Sequence, residues 1–144
     1  MDLGALYEEV ILDHNRSPRN WGELPEARTI EGFNPLCGDR ISLSVKVDGD
    51  RITDIRFMGE GCAISKASAS MMTQAVKGKT RGEAERIYEG FHDLVTGKAP
   101  APPDKSFGSL RAFAGVARFP TRVKCATMAW HAMREALASN DLSE

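Results

Sequence analysis

Three cysteines, Cys37, Cys62 and Cys125, are the most reactive side chains of this 144-residue sequence. A cysteine thiolate is both a nucleophile and a metal ligand, and turns and helix N-termini favour the charged form. Cys37 lies in the sequence Pro-Leu-Cys-Gly-Asp, Cys62 follows Gly-Glu-Gly, and Cys125 is placed in the first turn of the predicted last helix. Core positions rarely need glycine neighbours, so these settings favour a functional site over simple packing.

Asp39 is the natural fourth member of this group, because a flexible glycine separates it from Cys37. Three thiolates and one carboxylate form a tetrahedral ligand set that suits Zn²⁺. Sulfur-rich ligation also suits iron–sulfur chemistry, and ligand type alone does not separate the two. The sequence has no Cys-x-x-Cys pair, and scattered single cysteines are often buried as small hydrophobic residues.

The three histidines, His14, His92 and His131, are weaker candidates. A Cys–His nucleophile pair is conceivable, but His131 is six positions from Cys125 and would face largely away from it on a helix. Surface or capping roles are therefore expected for all three.

Composition and charge exclude several classes of protein. The length suits one domain over residues 1–144, and the net charge of -1 gives no reason to expect nucleic-acid binding. No apolar run is long enough to span a membrane, and the acidic start does not resemble a signal peptide. An odd number of cysteines argues against a disulfide framework, so a reducing, cytoplasmic location is expected.

Hydrophobic periodicity predicts the elements that position these residues. It places helices and strands in the order helix, sheet, helices, and so predicts an α+β fold, with a three-stranded antiparallel sheet packed against helices on one face. A proline-rich connector is expected over residues 99–103. Three aromatic residues, Phe107, Phe113 and Phe119, are expected to pack against this connector. Pro120 is expected to stop a short helix. The predicted helices cover residues 3–14, 64–76, 80–95, 110–117 and 122–138, and the predicted strands cover 28–33, 41–47 and 51–58.

Three segments resemble the motifs of the SufU/IscU family, whose domain is the NifU N-terminal domain. They are Asn-Pro-Leu-Cys-Gly-Asp at 34–39, Gly-Glu-Gly-Cys-Ala-Ile-Ser at 59–65 and Arg-Val-Lys-Cys-Ala-Thr at 122–127. The segment at 6–20 is also similar to the family's N-terminal helix and following loop. The resemblance covers nearly the whole chain and keeps the motifs in order.

This resemblance implies a SufE/NifU-like two-layer sandwich and a metal site formed by Cys37, Asp39, Cys62 and Cys125. It further implies a role in iron–sulfur cluster assembly with a SufS-like, pyridoxal-phosphate cysteine desulfurase as partner. Downstream partners would be a cluster-assembly scaffold or apo-proteins, and neither nucleic acid nor membrane is expected.

Two features place the chain nearer the SufU branch of the family. IscU scaffolds carry a histidine immediately before the third cysteine, where this chain has Lys124, and a Leu-Pro-Pro-Val-Lys segment, where it has Phe-Pro-Thr-Arg-Val-Lys at 119–124. The segment from about 97 to 120 also looks like the insertion that distinguishes SufU. Arg122 and Lys124 are expected beside the site, where positive charge could steer an acidic partner.

Three functional hypotheses follow. In the first, Zn²⁺ holds the thiolates and Cys37 accepts sulfur as a persulfide, so that the protein acts as a sulfurtransferase with the desulfurase. In the second, Cys37, Cys62 and Cys125 hold a transient [2Fe–2S] cluster that is passed to apo-proteins. In the third, the zinc is structural and the chain is an interaction module.

Overall fold

A computed structural model describes residues 3–25, 27–35, 38–102 and 105–138 of the chain. Four helices, three strands and one 3₁₀ segment make up this part. In chain order they are α1 Leu3–Arg16, β1 Arg28–Asn34, β2 Asp39–Asp48, β3 Arg51–Glu60, α2 Ala63–Val76, α3 Arg81–Val95, the 3₁₀ segment Lys105–Arg118 and α4 Pro120–Ala138. Because each predicted helix and strand overlaps one of these elements, the predicted α+β order is confirmed.

The sheet is an antiparallel meander in the order β1-β2-β3. Asn34 pairs with Asp39 at one hairpin, and Asp48 pairs with Arg51 at the other. Gly49 lies in the second turn with φ of +62°, a conformation that glycine adopts without a steric penalty. The alternation of apolar and polar residues that predicted these strands is thus realised as one face towards the helices and one towards solvent.

The core lies between this sheet and the helices, as predicted. Leu43, Val45 and Ile55 on the sheet are at most 1% exposed. On the helical side, Phe91 of α3 stacks on Trp130 of α4 with ring centroids 4.5 Å apart. Side chains of this size each contribute roughly 1.5–3 kcal/mol when fully buried. The sheet and the helices are therefore held together by one hydrophobic core.

Small residues along α2 let α4 approach closely. Ala67, Ser68 and Ala69 are fully buried, and the Ser68 hydroxyl donates to the carbonyl oxygen of Ala126. The same hydroxyl accepts the indole N–H of Trp130 at 3.1 Å. Ser68 therefore fixes the part of α4 that follows Cys125 against α2.

Two local expectations are wrong in detail. The 3₁₀ segment ends at Arg118, before Pro120 as expected, and Pro120 itself opens α4, where its missing N–H costs nothing. Since α4 starts there, Cys125 lies in its second turn and not its first. Phe119 is 46% exposed, while Phe107 and Phe113 are buried.

The surface role expected for His14 is also wrong. This residue of α1 is 4% exposed, and its Nδ1 lies 2.7 Å from the hydroxyl oxygen of Ser70 on α2. The same oxygen accepts the backbone N–H of Arg19 at 2.8 Å. The contact therefore ties α1 and the loop after it to α2.

No helix in the described part of the chain is long and apolar enough to cross a membrane. The assignment of residues 1–144 to a single domain stays a prediction.

We expect the stability of the fold to fall in mild acid because of His14. Burial, followed by the nearby Arg19, lowers the pKa of His14 below its ordinary value of 6.5. Below about pH 6.5 the unfolded chain then binds a proton that the folded chain binds less readily, so the free energy of unfolding decreases as pH falls. Urea unfolding from pH 7.5 to 5.0 should show a smaller pH dependence for His14→Gln than for the parent protein.

The matched control is His131→Gln, because burial also lowers the pKa of His131. Each single variant should reduce the slope of the free energy of unfolding against pH by the contribution of its own histidine. The double variant should reduce this slope by both contributions. A parent protein and His14→Gln variant with parallel pH profiles would contradict the role of His14.

Candidate metal centre

Three of the four predicted site residues converge in the structure. Asp39 begins β2, Cys62 precedes α2 as its N-cap, and Cys125 lies on α4. One ligand atom from each lies within 4.8 Å of the others, and no other group of three such residues was found in the described part of the chain. Cys37, the fourth predicted member, lies outside the described residues. The geometry therefore brings together two thiols and one carboxylate from three elements that are distant in sequence.

Asp39 is fully buried and held by hydrogen bonds from the start of α2. The backbone N–H of Cys62 donates to Oδ1 at 2.7 Å, and the Ser65 hydroxyl donates to Oδ2 at 2.5 Å. The Cys62 thiol lies 3.8 Å from Oδ2 and donates to it. Both carboxylate oxygens thus have donors, which an ionised carboxylate needs when it leaves water.

These donors decide the charge of Asp39. Burial by itself raises the pKa of its carboxyl group, but hydrogen bonds from Ser65, from the Cys62 N–H and from the thiols of Cys125 and Cys62 outweigh burial. The net result is a pKa below the ordinary value. Asp39 is therefore an anion at neutral pH, which is the form that binds a cation.

The two cysteines have different surroundings. Cys62 is half-buried, and its sulfur accepts the backbone N–H of Ser65 at 3.4 Å, as an N-cap side chain does. Cys125 is 3% exposed, and the side-chain amide of Asn34 donates to its sulfur at 3.6 Å. Neither Cys62 nor Cys125 forms a disulfide with another described residue. Each sulfur thus already has a donor, which suits a thiolate.

Steric constraints explain the two glycines, Gly59 and Gly61, that precede Cys62. A Cβ on Gly61 would stand 2.6 Å from Oδ1 of Asp39, and a Cβ on Gly59 would overlap the backbone of Arg40. The sequence predicted that these glycines mark a functional site. The physical reason is that only glycine lets β3 and the start of α2 approach Asp39 this closely.

Three exposed cations are close in sequence to the ligands of this centre, and two of them lie over exposed aromatic rings. The guanidinium of Arg122 lies 4.3 Å from the ring centroid of Phe119, and that of Arg40 lies 5.2 Å from the centroid of Phe33. Lys124 is exposed one residue before Cys125. The surface beside the centre therefore combines positive charge with apolar area.

Several contributors were missed by sequence reasoning. No individual role was predicted for Asn34 and Ser65, which lie inside the motifs at 34–39 and 59–65, or for Arg40, which follows the first motif. Ser65 stands three residues after Cys62, the spacing at which an N-cap and its partner meet, and this signal could have found it. The contact of Asn34 with Cys125 joins residues 91 positions apart, and no local pattern reveals it.

The remaining histidines lie away from the centre. His92 and His131 lie with their ring centroids 6.2 Å apart, and the hydroxyl of Tyr88 lies 3.2 Å from Nδ1 of His131. Neither belongs to the group formed by Asp39, Cys62 and Cys125. The structure therefore gives no support to a Cys–His nucleophile pair within the described residues.

The fold and this site define a small α+β protein with a buried carboxylate–thiol centre. The profile of the NifU-like N-terminal domain matches residues 6–126. The chain belongs to this family, and the resemblance seen in its motifs is confirmed.

Named relatives fall into two functional groups. The zinc-dependent sulfurtransferase SufU of Bacillus subtilis is 45% identical over 97% of this chain and 95% of its own length. The iron–sulfur cluster assembly scaffold protein IscU of Streptococcus pyogenes is 47% identical over 94% of this chain and 84% of its own length. A SUF-system cluster assembly scaffold protein from Fervidobacterium islandicum superposes with a TM-score of 0.83 and 34% identity, over 92% of this chain and 97% of its own.

Replacing Gly61 with alanine should weaken metal binding. The added methyl group would displace the Asp39 carboxylate and break its hydrogen bond with the Cys62 N–H. We expect the affinity for Zn²⁺, measured by competition with a chromophoric chelator, to fall about tenfold or more, as for other changes that disorient a ligand.

The matched control is Gly82→Ala on α3, where a Cβ would meet nothing within 4 Å. This variant should bind Zn²⁺ like the parent protein. Equal affinity in the Gly61→Ala variant would show that the position of Asp39 does not matter for metal binding.

Proposed function

We propose that this protein is an iron–sulfur cluster assembly protein that accepts sulfur from a cysteine desulfurase, with Cys37 as the acceptor. The observation that carries the proposal is the convergence of Asp39, Cys62 and Cys125 within 4.8 Å. The 45% identity to a zinc-dependent sulfurtransferase supports this function over nearly the full chain.

The donor set fits zinc. Zn²⁺ is commonly bound by four ligands drawn from thiolates, imidazoles and carboxylates. Cys62, Cys125 and the ionised Asp39 would provide three ligands, and Cys37 is the proposed fourth. When bound, the ion would keep the coordinating thiols deprotonated at neutral pH. The chain's own residues prepare for this by holding Asp39 as an anion and by directing N–H groups at both sulfurs.

Cys37 lies between two described residues of the centre. Asn34 ends β1, Asp39 begins β2, and the backbone N–H of Gly38 donates to the carbonyl oxygen of Asn34 at 2.8 Å. Cys37 stands between these ends, only two residues before Asp39 in the sequence. Its described neighbours Pro35 and Gly38 are exposed, on a surface that a partner can approach.

The proposed transfer is a thiol–disulfide exchange. The Cys37 thiolate attacks the outer sulfur of the persulfide on the desulfurase, and a new S–S bond forms at Cys37. The original S–S bond breaks, and the desulfurase cysteine leaves as a thiolate. No external oxidant or reductant is needed, because the oxidised sulfur atom moves from one cysteine to the other.

A SufS-like, pyridoxal-phosphate desulfurase is the proposed partner. Exposed cations stand close to the ligands in the sequence, since Arg40 follows Asp39 and both Arg122 and Lys124 precede Cys125. Positive charge at a docking surface accelerates encounter with an acidic surface, and Arg and aromatic residues are enriched where proteins bind. A cluster scaffold or apo-proteins would then receive the sulfur. We place this activity in the cytoplasm, where thiols such as those of Cys62 and Cys125 stay reduced.

A second candidate function is cluster assembly on this chain itself. The 47% identity to an IscU scaffold favours it, since the match covers 94% of this chain. Cys37, Cys62 and Cys125 would then hold a transient [2Fe–2S] cluster as cargo, with Asp39 beside it. Lys124, which stands where IscU scaffolds carry a histidine, weighs against it.

Replacing Cys37 with alanine should abolish sulfur acceptance. With a SufS-type desulfurase and cysteine as substrate, the parent protein should gain the mass of sulfur on Cys37 and stimulate sulfide release. The Cys37→Ala variant should show neither, because the attacking thiolate is gone. Glu89→Ala, an exposed change on α3, is the control and should behave like the parent protein. Full sulfur acceptance by Cys37→Ala would contradict the assignment.

Anaerobic reconstitution distinguishes the second function. If the chain is a sulfur acceptor, purified protein should contain about one zinc per chain, and iron with sulfide should give little visible absorption of a cluster. A stable [2Fe–2S] spectrum that transfers to an apo-ferredoxin, together with weak desulfurase stimulation, would instead make this chain a scaffold. Metal analysis and absorption spectra of the same sample provide both readouts.

A further inference from the structure

The two outer edges of the sheet differ in whether other segments of the chain form main-chain hydrogen bonds with them. At β3, the segment around Trp21 covers one end, where Gly22 N–H donates to Phe57 O at 2.9 Å. Residues 78–81 cover the other end, where Ile52 N–H donates to Lys79 O at 2.8 Å. The protein thus supplies its own partners for the main-chain groups of β3.

The outer edge of β1 has no such cover in the described part of the chain. Among the described residues, no main-chain hydrogen bond joins residues 28–33 to anything other than β2. This strand contains neither lysine nor proline, which commonly protect an edge from added strands, and its only charged residues are Arg28 and Glu31. An exposed edge of this kind is a template for the pairing of an extended chain.

A groove runs beside this edge. It has a volume of about 390 Å³ and lies between β1 and α4. Gly32 has no side chain, and this leaves room for Met128 in the groove. A Cβ on Gly32 would lie 3.3 Å from Cγ of Met128. Phe33, 55% exposed, stands on the strand side. An added strand would therefore find apolar contacts on both of its faces.

Charge is distributed unevenly along the groove. Lys124 lines the end nearest Cys125, while Glu31 and Glu135 line the part farther along the strand. A ligand that is complementary to this arrangement carries an acidic residue at the first end and a basic residue towards the second.

A second copy of this chain is a poor occupant. A two-fold axis at the middle of β1 would place Glu31 directly opposite Glu31 of the other copy, and like charges in that position are destabilising. A partner segment can carry a basic residue at this point. The charge pattern therefore favours a different protein over self-pairing.

We propose that the free edge of β1 binds an extended segment of a partner protein by strand addition, with an acidic residue towards Lys124 and a basic residue towards Glu31. The segment runs antiparallel to β1 and continues the sheet. Its acidic end reaches Asn34, whose amide donates to Cys125 at 3.6 Å, so the docked segment ends beside the metal centre. This docking site is separate from the transfer chemistry proposed for Cys37.

A synthetic peptide tests the proposal on the full chain. The probe is fluorescein-labelled Asp-Val-Thr-Val-Lys-Val with a blocked C-terminus, measured by fluorescence anisotropy. It should bind saturably, and amide hydrogen exchange should slow at residues 28–33 and not at β3. A peptide with proline for the central threonine should bind weakly, since proline removes a main-chain donor.

Charge exchange provides the matched control. Glu31→Lys should weaken the probe about fivefold or more, and a peptide with glutamate for lysine should recover binding to that variant. Glu89→Lys makes the same charge change on α3 outside the groove and should leave the affinity unchanged.

Three results would overturn the proposal. One is the absence of binding at millimolar peptide, and another is binding that Glu31→Lys does not alter. The third is concentration-dependent dimerisation that protects residues 28–33 without peptide, because the edge would then be an interface between copies. Sedimentation and hydrogen exchange of the protein alone detect this third result. Sulfur acceptance by Cys37 is unaffected by any of these outcomes.

Discussion

The buried carboxylate of Asp39 is the constraint on which the site depends. An ionised carboxylate with no partners in a protein interior costs several kcal/mol, so the fold must bring donors to it. Cys62 and Ser65 supply them from the first turn of α2, and both oxygens of the carboxylate are used. These bonds fix where β2 begins relative to α2. They also place one sulfur beside the carboxylate without any metal.

The second sulfur is placed by helix packing. The small, fully buried residues of α2 let α4 approach until Ser68 bonds the carbonyl oxygen of Ala126, the residue after Cys125. The stack of Phe91 on Trp130 also ties α4 to α3. The position of Cys125 thus follows from the packing of α4 against α2 and α3. This weighs against a purely structural role for the metal, since the elements that hold the ligands pack through apolar contacts.

The sequence predicted what local patterns encode. The alternation of apolar and polar residues indicates β2 and β3, and Thr80 and Glu83 have the spacing of the capping box that is present at the start of α3. The glycines around Cys62 pointed to a close approach, which Asp39 explains. The convergence of the ligands came from the family resemblance, because residues as far apart as Asp39 and Cys125 meet only in the folded chain.

What could not be predicted depends on tertiary contacts. His14 has the sequence context of a surface residue near a helix end, yet Ser70, which is 56 positions away, draws it into the interior. Phe119 reads as a core residue, but it lies just before α4 and its ring is covered by Arg122 instead. In both cases the residue type permits either location, and the packing of other elements decides between them.

The hydrogen bonds of Asp39 also suit a centre that gains and loses its ion. Without a metal, the thiols of Cys62 and Cys125 donate hydrogen bonds to the carboxylate, so its charge is satisfied. A bound metal would displace the thiol protons, and Asp39, Cys62 and Cys125 would together hold the ion. The backbone N–H of Cys62 and the Ser65 hydroxyl donate to Asp39 and would keep its carboxylate in position in either state. Because neither state would leave a buried charge unpaired, the site would avoid the large free-energy penalty of such a charge.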